Sequence, residues 1–184
     1  GIVLSSFPYK DSDKIVTIFF VQQGKVSVRF TGVRKLNAKL ASATQPFCFA
    51  EYVLAEGRSG KVCTSAECID SFFDISKNYS AYVLGNAGLE IVSKFSREDE
   101  SDSGLFLSLL ELLKALAYEK EFQPSFAFIR FLLEILKQQG YGVSFVTDNS
   151  YDSVCFNTDE GAVIFTRQGS VFGETMSKQE AELM

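Results

Sequence analysis

Two hydrophobic periods divide this sequence, and the change between them constrains the fold more than any other feature. Before residue 70, short segments are either apolar throughout or alternate apolar with polar residues, which is the pattern of β-strands. Five such segments are present, at residues 2–7, 15–21, 25–31, 46–55 and 61–69. Five short strands this close together predict a small closed barrel, because closure removes the edges that an open sheet would expose.

From Ser76 onward the apolar residues recur at helical spacing. We predict three helices: one capped by Ser76 or Asn78 and running to about Lys94, one over 105–118, and one that begins at Pro124 or Ser125, reaches Gln139 and ends at Gly140. The third helix is apolar nearly all round, so we expect it to be the buried centre of a helical bundle. The acidic segment 96–103 should be an exposed loop.

The first of these helices contains two glycines. A stripe of Leu84, Gly88, Ile91 and Phe95 should line one face of this helix. Gly85 and Gly88 lower the stability of a helix. Their presence therefore predicts that another backbone approaches the helix closely at this point.

Beyond Gly140 the pattern returns to that of strands, with short strands predicted at 153–156 and 162–166. Ser177 and Glu180 form a capping box that opens a final helix. This helix has so few residues left that we expect the protein to continue beyond Met184. The predicted fold class is α+β: a barrel domain over residues 1–72, then a helical domain over 73–184 with a small inserted β element at about 141–172.

Several function classes lose their usual machinery in this sequence. Histidine, the commonest general base and metal ligand, is absent, and there is no glycine-rich phosphate loop. The four cysteines, at positions 48, 63, 68 and 155, form no C-x-x-C pair, so we expect free and mostly buried thiols. We therefore predict no catalytic residue, metal or cofactor. The remaining possibility for catalysis is an enzyme that works through carboxylates alone, and the sequence shows no partner residue for them.

The longest apolar runs are too short or too interrupted to span a membrane. The run from Gly104 to Ala117 contains Glu111 and Lys114, and a spanning helix needs about 20 apolar residues. The first ten residues lack the basic and apolar regions of a secretory signal. We expect no membrane association and a cytoplasmic location.

Charge is distributed unevenly along the chain. The net charge of −5 combines +3 over residues 1–70 with −8 over the remainder. An anion-binding surface should therefore lie in the first 70 residues. The basic residues Lys25, Arg29, Arg34, Lys35 and Lys39 lie on one strand and in the loop that follows it. They could neutralise nucleic-acid phosphates, with an exposed aromatic such as Tyr9 or Phe30 stacking on bases, or they could be ordinary solvated cations.

A family resemblance extends over essentially the whole chain. It rests on the order and spacing of short motifs: Pro8-Tyr9 with Ser12-Asp13-Lys14 and Val16-Thr17, Gly24-Lys25, Gly32-Val33-Arg34-Lys35 with Lys39-Leu40, Gln45-Pro46-Phe47, Gly57-Arg58, Ala66-Glu67, the helix end 131–141, and Glu160-Gly161. In these motifs the sequence resembles the RecO family of DNA repair and recombination mediators. The resemblance implies an OB-fold barrel followed by a helical domain with an inserted β element.

The resemblance also implies a function without catalytic turnover. It implies binding to single- and double-stranded DNA, annealing of complementary strands, and a nucleoid-associated location. Together with RecR, such a protein helps RecA to load onto DNA coated with single-strand-binding protein. The alternative is a scaffold that binds only proteins, namely RecR and the tail of single-strand-binding protein, and the low positive charge favours it.

Two further expectations come from comparing this sequence with the family pattern. Many members carry a four-cysteine zinc site in the β element, but this sequence has Asp148, Tyr151, Phe165 and Gln168 near those positions, so the element should fold without zinc. The resemblance also implies a pocket in the helical half for the acidic, Phe-ending tail of single-strand-binding protein. Lys114, Arg130 and Lys137 are the candidates to bind its carboxylate. Alternatively, Arg130 pairs with Glu134 one turn along the helix.

Overall fold

The structure is a computed structural model that describes residues 1–58, 60–119 and 123–142 together with four short strands further along. It forms two compact units, residues 1–131 and 132–184. The first five strands are β1 (Ile2–Tyr9), β2 (Asp13–Phe20), β3 (Gly24–Phe30), β4 (Phe49–Gly57) and β5 (Gly60–Asp70). Three helices follow: α1 (Tyr79–Phe95), α2 (Ser103–Tyr118) and α3 (Pro124–Leu136). The remaining strands are β6 (Ser144–Phe145), β7 (Ser153–Asn157), β8 (Ala162–Thr166) and β9 (Glu174–Ser177).

The first five strands close into a barrel with the order β1-β2-β3-β5-β4. All neighbouring pairs are antiparallel except β3 and β5, which run parallel. Closure is completed between β1 and the start of β4, where the Val3 amide donates to the Cys48 carbonyl at 3.0 Å and the Phe47 amide to the Val3 carbonyl at 3.2 Å. This OB-fold barrel followed by helices confirms the predicted α+β fold class.

Alternate residues of each strand fill the barrel interior, as period-two patterning requires. The buried set comprises Val3, Val16, Ile18, Val26, Val28, Phe30, Val33, Cys48, Ala50 and Cys63. Burial raises the pKa of the Cys48 thiol to about 12. Burial also raises the pKa of Tyr52, whose hydroxyl donates to the Ala43 carbonyl at 3.0 Å.

The outer face of the sheet formed by β1, β2 and β3 has two halves with different surroundings. In the covered half, the buried Phe19 ring lies 5.8 Å from the Phe106 ring of α2, centroid to centroid. Lys25 donates from Nζ to the Ser93 carbonyl of α1 at 2.7 Å, and its backbone amide donates to the Arg97 carbonyl at 3.1 Å. The segment predicted as an exposed loop therefore contacts the barrel through its backbone, although its charged side chains are exposed. The open half carries Phe7, Tyr9, Ile15 and Arg29 and is described below.

Side-chain caps define the starts of α1 and α2. Asn78, one of the two predicted caps, accepts from the Ala81 amide at 3.1 Å, and Asp102 accepts from the Leu105 amide at 2.8 Å. Such caps satisfy backbone donors that have no partner inside the helix.

The predicted inner stripe of α1 is wrong in part, because only Gly88 of that stripe is buried. The buried face is Ala81, Gly85, Gly88, Leu89 and Val92. The two glycines explain this face, because side chains from elsewhere in the chain pack against them. The predicted close approach of another backbone is therefore wrong. A Cβ at Gly85 would lie 3.0 Å from the Phe47 ring, and one at Gly88 would lie 2.5 Å from Leu112 Cδ2.

The prediction that α3 is the buried centre of the helices is also wrong. Phe126 and Ile129 of α3 are 43% and 45% exposed, whereas α2 buries nine of its residues. Helix α2 is the buried one instead, because it contacts the barrel through Phe106 and α1 through Leu112. Among the described residues, no helix is long and apolar enough to cross a membrane.

In the second unit, four strands form a sheet with the order β6-β8-β7-β9. Strands β7 and β8 form an antiparallel pair at the predicted positions, with Val154 opposite Phe165. The predicted end of the third helix is displaced, because α3 ends at Leu136 and Gly140, with a φ of +85°, lies within a short π-helical turn over Lys137–Tyr141. The predicted final helix lies outside the described residues, as do Asp148, Tyr151 and Gln168, which stand near the zinc-ligand positions of the family.

Candidate nucleic-acid interface

The open half of the outer face contains a continuous row of side chains across four strands. Phe7 lies opposite Ile15, Ile15 opposite Arg29, and Arg29 opposite Val62. Phe7 is 62% exposed, and the other three are partly buried. An aromatic ring, aliphatic side chains and a guanidinium are thus presented together on the sheet face that OB-folds use to bind oligonucleotides.

A β-bulge brings Phe7 to this face. The register of β1 against β2 shifts between Val3 and Ser5, so that Val3 and Ser6 point into the barrel while Ser5 and Phe7 point outward. Strict alternation from the buried Val3 would have placed Phe7 inside the barrel. A bulge of this kind re-aims the side chains beyond it.

The loop after β3, residues 31–41, is a chain of tight turns rather than an open segment. Amide-to-carbonyl hydrogen bonds join Lys35 to Gly32 at 3.1 Å, Ala38 to Lys35 at 3.2 Å, and Ala41 to Ala38 at 3.1 Å. Val33 is buried in the barrel core, and Leu40 packs against that core. These anchors fix the backbone while the remaining side chains project outward.

Two elements hold this loop against the turn between β1 and β2. The Arg34 amide donates to the Ser12 carbonyl at 2.9 Å, and its Nη1 donates to the Lys10 carbonyl at 3.2 Å. The Gly32 amide donates to Asp13 Oδ1 at 2.9 Å. The cations of the loop and of the turn therefore share one surface.

We call this surface the basic loop surface, and it consists of Lys10, Arg34, Lys35 and Lys39, all exposed. Leu36 projects among them and is 94% exposed. The acidic residues nearby are Asp11, which is exposed, and Asp13, which already accepts from Gly32 and lies 3.9 Å from Arg29 Nε. Elsewhere on the barrel, Glu51 of β4 lies directly opposite Glu67 of β5, and both are exposed. Positive charge is thus concentrated at the loop.

The predicted phosphate-binding residues occupy three different settings. Arg34, Lys35 and Lys39 lie on the basic loop surface. Arg29 lies in the open half, with its Nε buried and without a hydrogen-bond partner among the described residues. Lys25 lies in the covered half, where its ammonium already donates to Ser93.

The predicted aromatic residues divide in the same way. Phe30 is fully buried in the barrel, so the suggestion that it stacks on bases is wrong. Tyr9 is 39% exposed, and Lys10 Nζ lies 5.3 Å from the centre of its ring. Sequence reasoning missed Phe7, Lys10 and Leu36. Nothing in the local pattern signals the bulge that exposes Phe7.

Comparison with known proteins assigns the chain to a family. Residues 1–72 match the family pattern described as Recombination protein O N terminal, and residues 76–183 match Recombination protein O C terminal. The chain belongs to the RecO family. This confirms the resemblance on which the expectations above depend.

Several curated RecO proteins are similar to this chain. The DNA repair protein RecO of Clostridium novyi is 32% identical over 148 residues, which are 79% of this chain and 56% of that protein. The DNA repair protein RecO of Shouchella clausii is 36% identical over 119 residues, 62% of this chain and 44% of that protein. The DNA repair protein RecO of Acetivibrio thermocellus is 28% identical over 182 residues, 89% of this chain and 72% of that protein. The chain spans about half the length of the first two relatives.

The residues that the RecO resemblance suggested for peptide binding have different neighbours among the described residues. Lys114 is exposed on α2. Arg130 Nη2 lies 3.7 Å from Glu119 Oε1, so its partner is Glu119 rather than Glu134. Glu134 lies instead 3.8 Å from Lys137 Nζ.

A cavity of about 340 Å³ lies beside Glu119 in this RecO chain. Its lining combines apolar and polar residues, namely Asp74, Lys77, Asn78, Ala115, Leu116, Ala117, Glu119, Gln123, Pro124 and Ala127. Glu119 therefore both lines the cavity and pairs with Arg130. Within the described part of the chain, no group of three or more His, Cys, Asp or Glu side chains is arranged to hold a metal ion.

Proposed function

We propose that this chain acts in DNA repair as a non-enzymatic mediator that binds and anneals single-stranded DNA. With RecR, it would help to load RecA onto DNA coated with single-strand-binding protein. Its relatives are named DNA repair proteins, and no described group resembles a catalytic centre. We place its DNA-binding function in residues 1–72, its partner-binding function in 73–184, and the protein itself on the nucleoid in the cytoplasm.

One observation carries the DNA-binding proposal. The backbone that carries the four exposed cations of the basic loop surface is held by hydrogen bonds beside the open half of the sheet. Because this backbone is already ordered, less backbone entropy is lost when phosphates bind. Release of condensed counterions then supplies the affinity without sequence preference.

Neutralising the loop tests this proposal. In a variant with Arg34→Gln, Lys35→Gln and Lys39→Gln, the slope of log K against log salt for single-stranded DNA should fall by about 2, at roughly 0.7 per phosphate contact. The matched control changes three exposed cations of the helical region, Lys77, Lys94 and Arg97, to Gln. It removes the same charge and should leave the slope unchanged.

The two variants also separate the proposal from its alternatives. Equal changes in slope would mean that net charge, and not the loop, governs binding. Absence of DNA binding by the unaltered protein would favour the scaffold that binds RecR and the tail of single-strand-binding protein without DNA.

The peptide-binding part of the proposal centres on Arg130. An arginine can hold a terminal carboxylate through two hydrogen bonds, but here Glu119 lies beside it and competes. Arg130→Ala should therefore weaken binding of an acidic, Phe-ending peptide by tenfold or more, about 1.4 kcal/mol, whereas Glu119→Gln should strengthen it. The matched control is Lys94→Ala, because Lys94 is an exposed cation of α1 outside the predicted peptide-binding set. Unaltered affinity in Arg130→Ala would exclude Arg130 from the site.

A further inference from the structure

Phe7 is an exposed aromatic ring on the open half of the sheet, near the basic loop surface. It is 62% exposed although the same strand buries Ile2, Val3 and Leu4. Within the described part of the chain, no other ring or cation lies against it. A large apolar side chain in this position gains little from folding, since most of its surface remains in water.

The neighbours of Phe7 suit a nucleobase rather than a protein side chain. Ile15 and Arg29 continue its row across the sheet, so a ring, an aliphatic chain and a guanidinium occupy neighbouring positions. Tyr9 lies two residues along the same strand face, about 6.7 Å away at the rise of a β-strand. Both rings are therefore presented on the same side of the strand.

Tyr9 and Phe7 differ in what already contacts them. Lys10 Nζ lies 5.3 Å from the Tyr9 ring, which gives Tyr9 a cation–π partner in the unbound protein. The ring of Phe7 is free to take a new partner. Lys10 also offers its carbonyl to Arg34, so phosphate-binding groups begin only a few residues from the Phe7 ring.

We propose that Phe7 is a base-stacking platform and that it gives the open half a preference for single-stranded over double-stranded DNA. This inference rests on the proposed DNA-binding function and names the residue that would select the form of the DNA. Bases of a duplex are stacked within the helix and cannot lie flat on Phe7, whereas an unpaired base can. The cations of the basic loop surface hold phosphates of either form, and only stacking distinguishes them.

The absence of tryptophan from the whole sequence permits a direct test. The variant Phe7→Trp introduces a single tryptophan, whose fluorescence a stacked base quenches. The control is Phe73→Trp, because Phe73 is equally exposed at 66% but lies on the turn that precedes α1. Titration with a short oligothymidylate should quench Phe7→Trp and leave Phe73→Trp unchanged, while anisotropy of labelled oligothymidylate measures binding by both.

A second variant measures the energetic consequence. Phe7→Ala should bind oligothymidylate about fivefold more weakly or worse, since loss of one stacked base costs at least about 1 kcal/mol. Its affinity for duplex DNA and its salt slope should not change. Its unfolding midpoint should also stay within error of the unaltered protein, because the ring is mostly exposed.

The possible outcomes distinguish the inference from the function on which it rests. Binding without quenching of Phe7→Trp, or equal losses for single strands and duplex in Phe7→Ala, would overturn the stacking role and leave DNA binding intact. If the unaltered protein shows no anisotropy change with either form of DNA, both the function and the inference fail.

Discussion

The covered and open halves of the outer sheet face come from the same three strands and the same alternation of side chains, yet they have opposite surroundings. Phe19 and Phe7 both point outward from neighbouring strands, but Phe19 is buried beneath Phe106 and Phe7 is mostly exposed. Lys25 and Arg29 both point outward from β3, but only Lys25 donates to a helix carbonyl.

This difference shows what alternation determines and what it leaves open. Period two decides which residues point away from the barrel. Whether such residues are packed or presented to a ligand depends on chain segments some 70 to 90 positions later, namely Ser93, Arg97 and Phe106. The same kind of strand therefore contributes to the helix contact at one end and to the candidate binding face at the other.

Removing the Phe106 ring, which covers one half of the face, should have the largest effect on stability. Phe106→Ala should lower the free energy of unfolding by about 3–5 kcal/mol, since it leaves a cavity against Phe19 and Phe49. Phe7→Ala should lower it by less than about 0.5 kcal/mol. Urea unfolding followed by circular dichroism measures both. Similar losses in the two variants would mean that the halves are not different in packing.

Two glycines with nearly the same positive φ allow the stability of the two ends of the sheet to be compared. Gly24 at the covered end has φ +64° and Gly32 at the open end has φ +67°. Gly32→Ala should cost about 1–2 kcal/mol from the left-handed conformation alone. Gly24→Ala should cost about 1–3 kcal/mol more, because its Cβ would collide with the Glu100 carbonyl oxygen. Equal losses of unfolding free energy would show that the 97–100 segment moves away readily.

Raising the pH should lower the free energy of unfolding, because burial in the barrel beneath both halves raises the pKa of Cys48 and of Tyr52. The pKa of Cys48 is about 12 in the folded protein against an ordinary value of 9.0. Between these values the folded state retains a proton that the unfolded state releases, so stability is complete below pH 9 and falls as the pH rises toward 12. Burial of Tyr52, whose pKa is also raised, acts in the same direction.

Urea midpoints at pH 8.5 and 10.5 measure this effect, with Cys48→Ala as the variant that loses part of the dependence. An unchanged midpoint in the unaltered protein would mean that Cys48 titrates as it does in an unfolded chain.

The smallest expected effect separates the cations of the two halves. Lys35→Gln should lower the salt slope of DNA binding by about 0.7, and Lys25→Gln should leave it unchanged, because the Lys25 ammonium is occupied by Ser93. A lower slope for Lys25→Gln would extend the binding face into the covered half.

The sequence predicted most of the first unit because its elements carry local signals. Alternation identified five strands, and Asn78 was expected at the start of a helix, where the structure has it. The buried face of α1 could not be predicted, because it depends on Phe47 and Leu112 fitting over Gly85 and Gly88. Likewise, α3 has an apolar composition, but its burial depends on which helix contacts the barrel.

The candidate interface was predictable only in its charged part. Lys35 and Lys39 follow a strand in a polar loop, and such cations are exposed wherever the loop is at the surface. Phe7 was not predictable, since a single bulged residue near Leu4 reverses the direction of every side chain after it. The setting of Lys25 was equally hidden, because its partner is 68 residues away.

Under the proposed DNA-binding function, the facing carboxylates of Glu51 and Glu67 affect the rate at which a nucleic acid associates with the protein. Like charges directly opposite each other weaken a strand pair slightly, and here they also place negative charge on β4 and β5 while the loop after β3 is positive. A polyanion that diffuses toward the barrel is repelled from one part and attracted to another, so it is oriented before it makes contact. Added salt shortens the range of this field. The association rate constant should therefore fall more steeply with salt than the dissociation rate constant rises, and reversing Glu51 and Glu67 to lysine should leave arriving strands without a preferred approach.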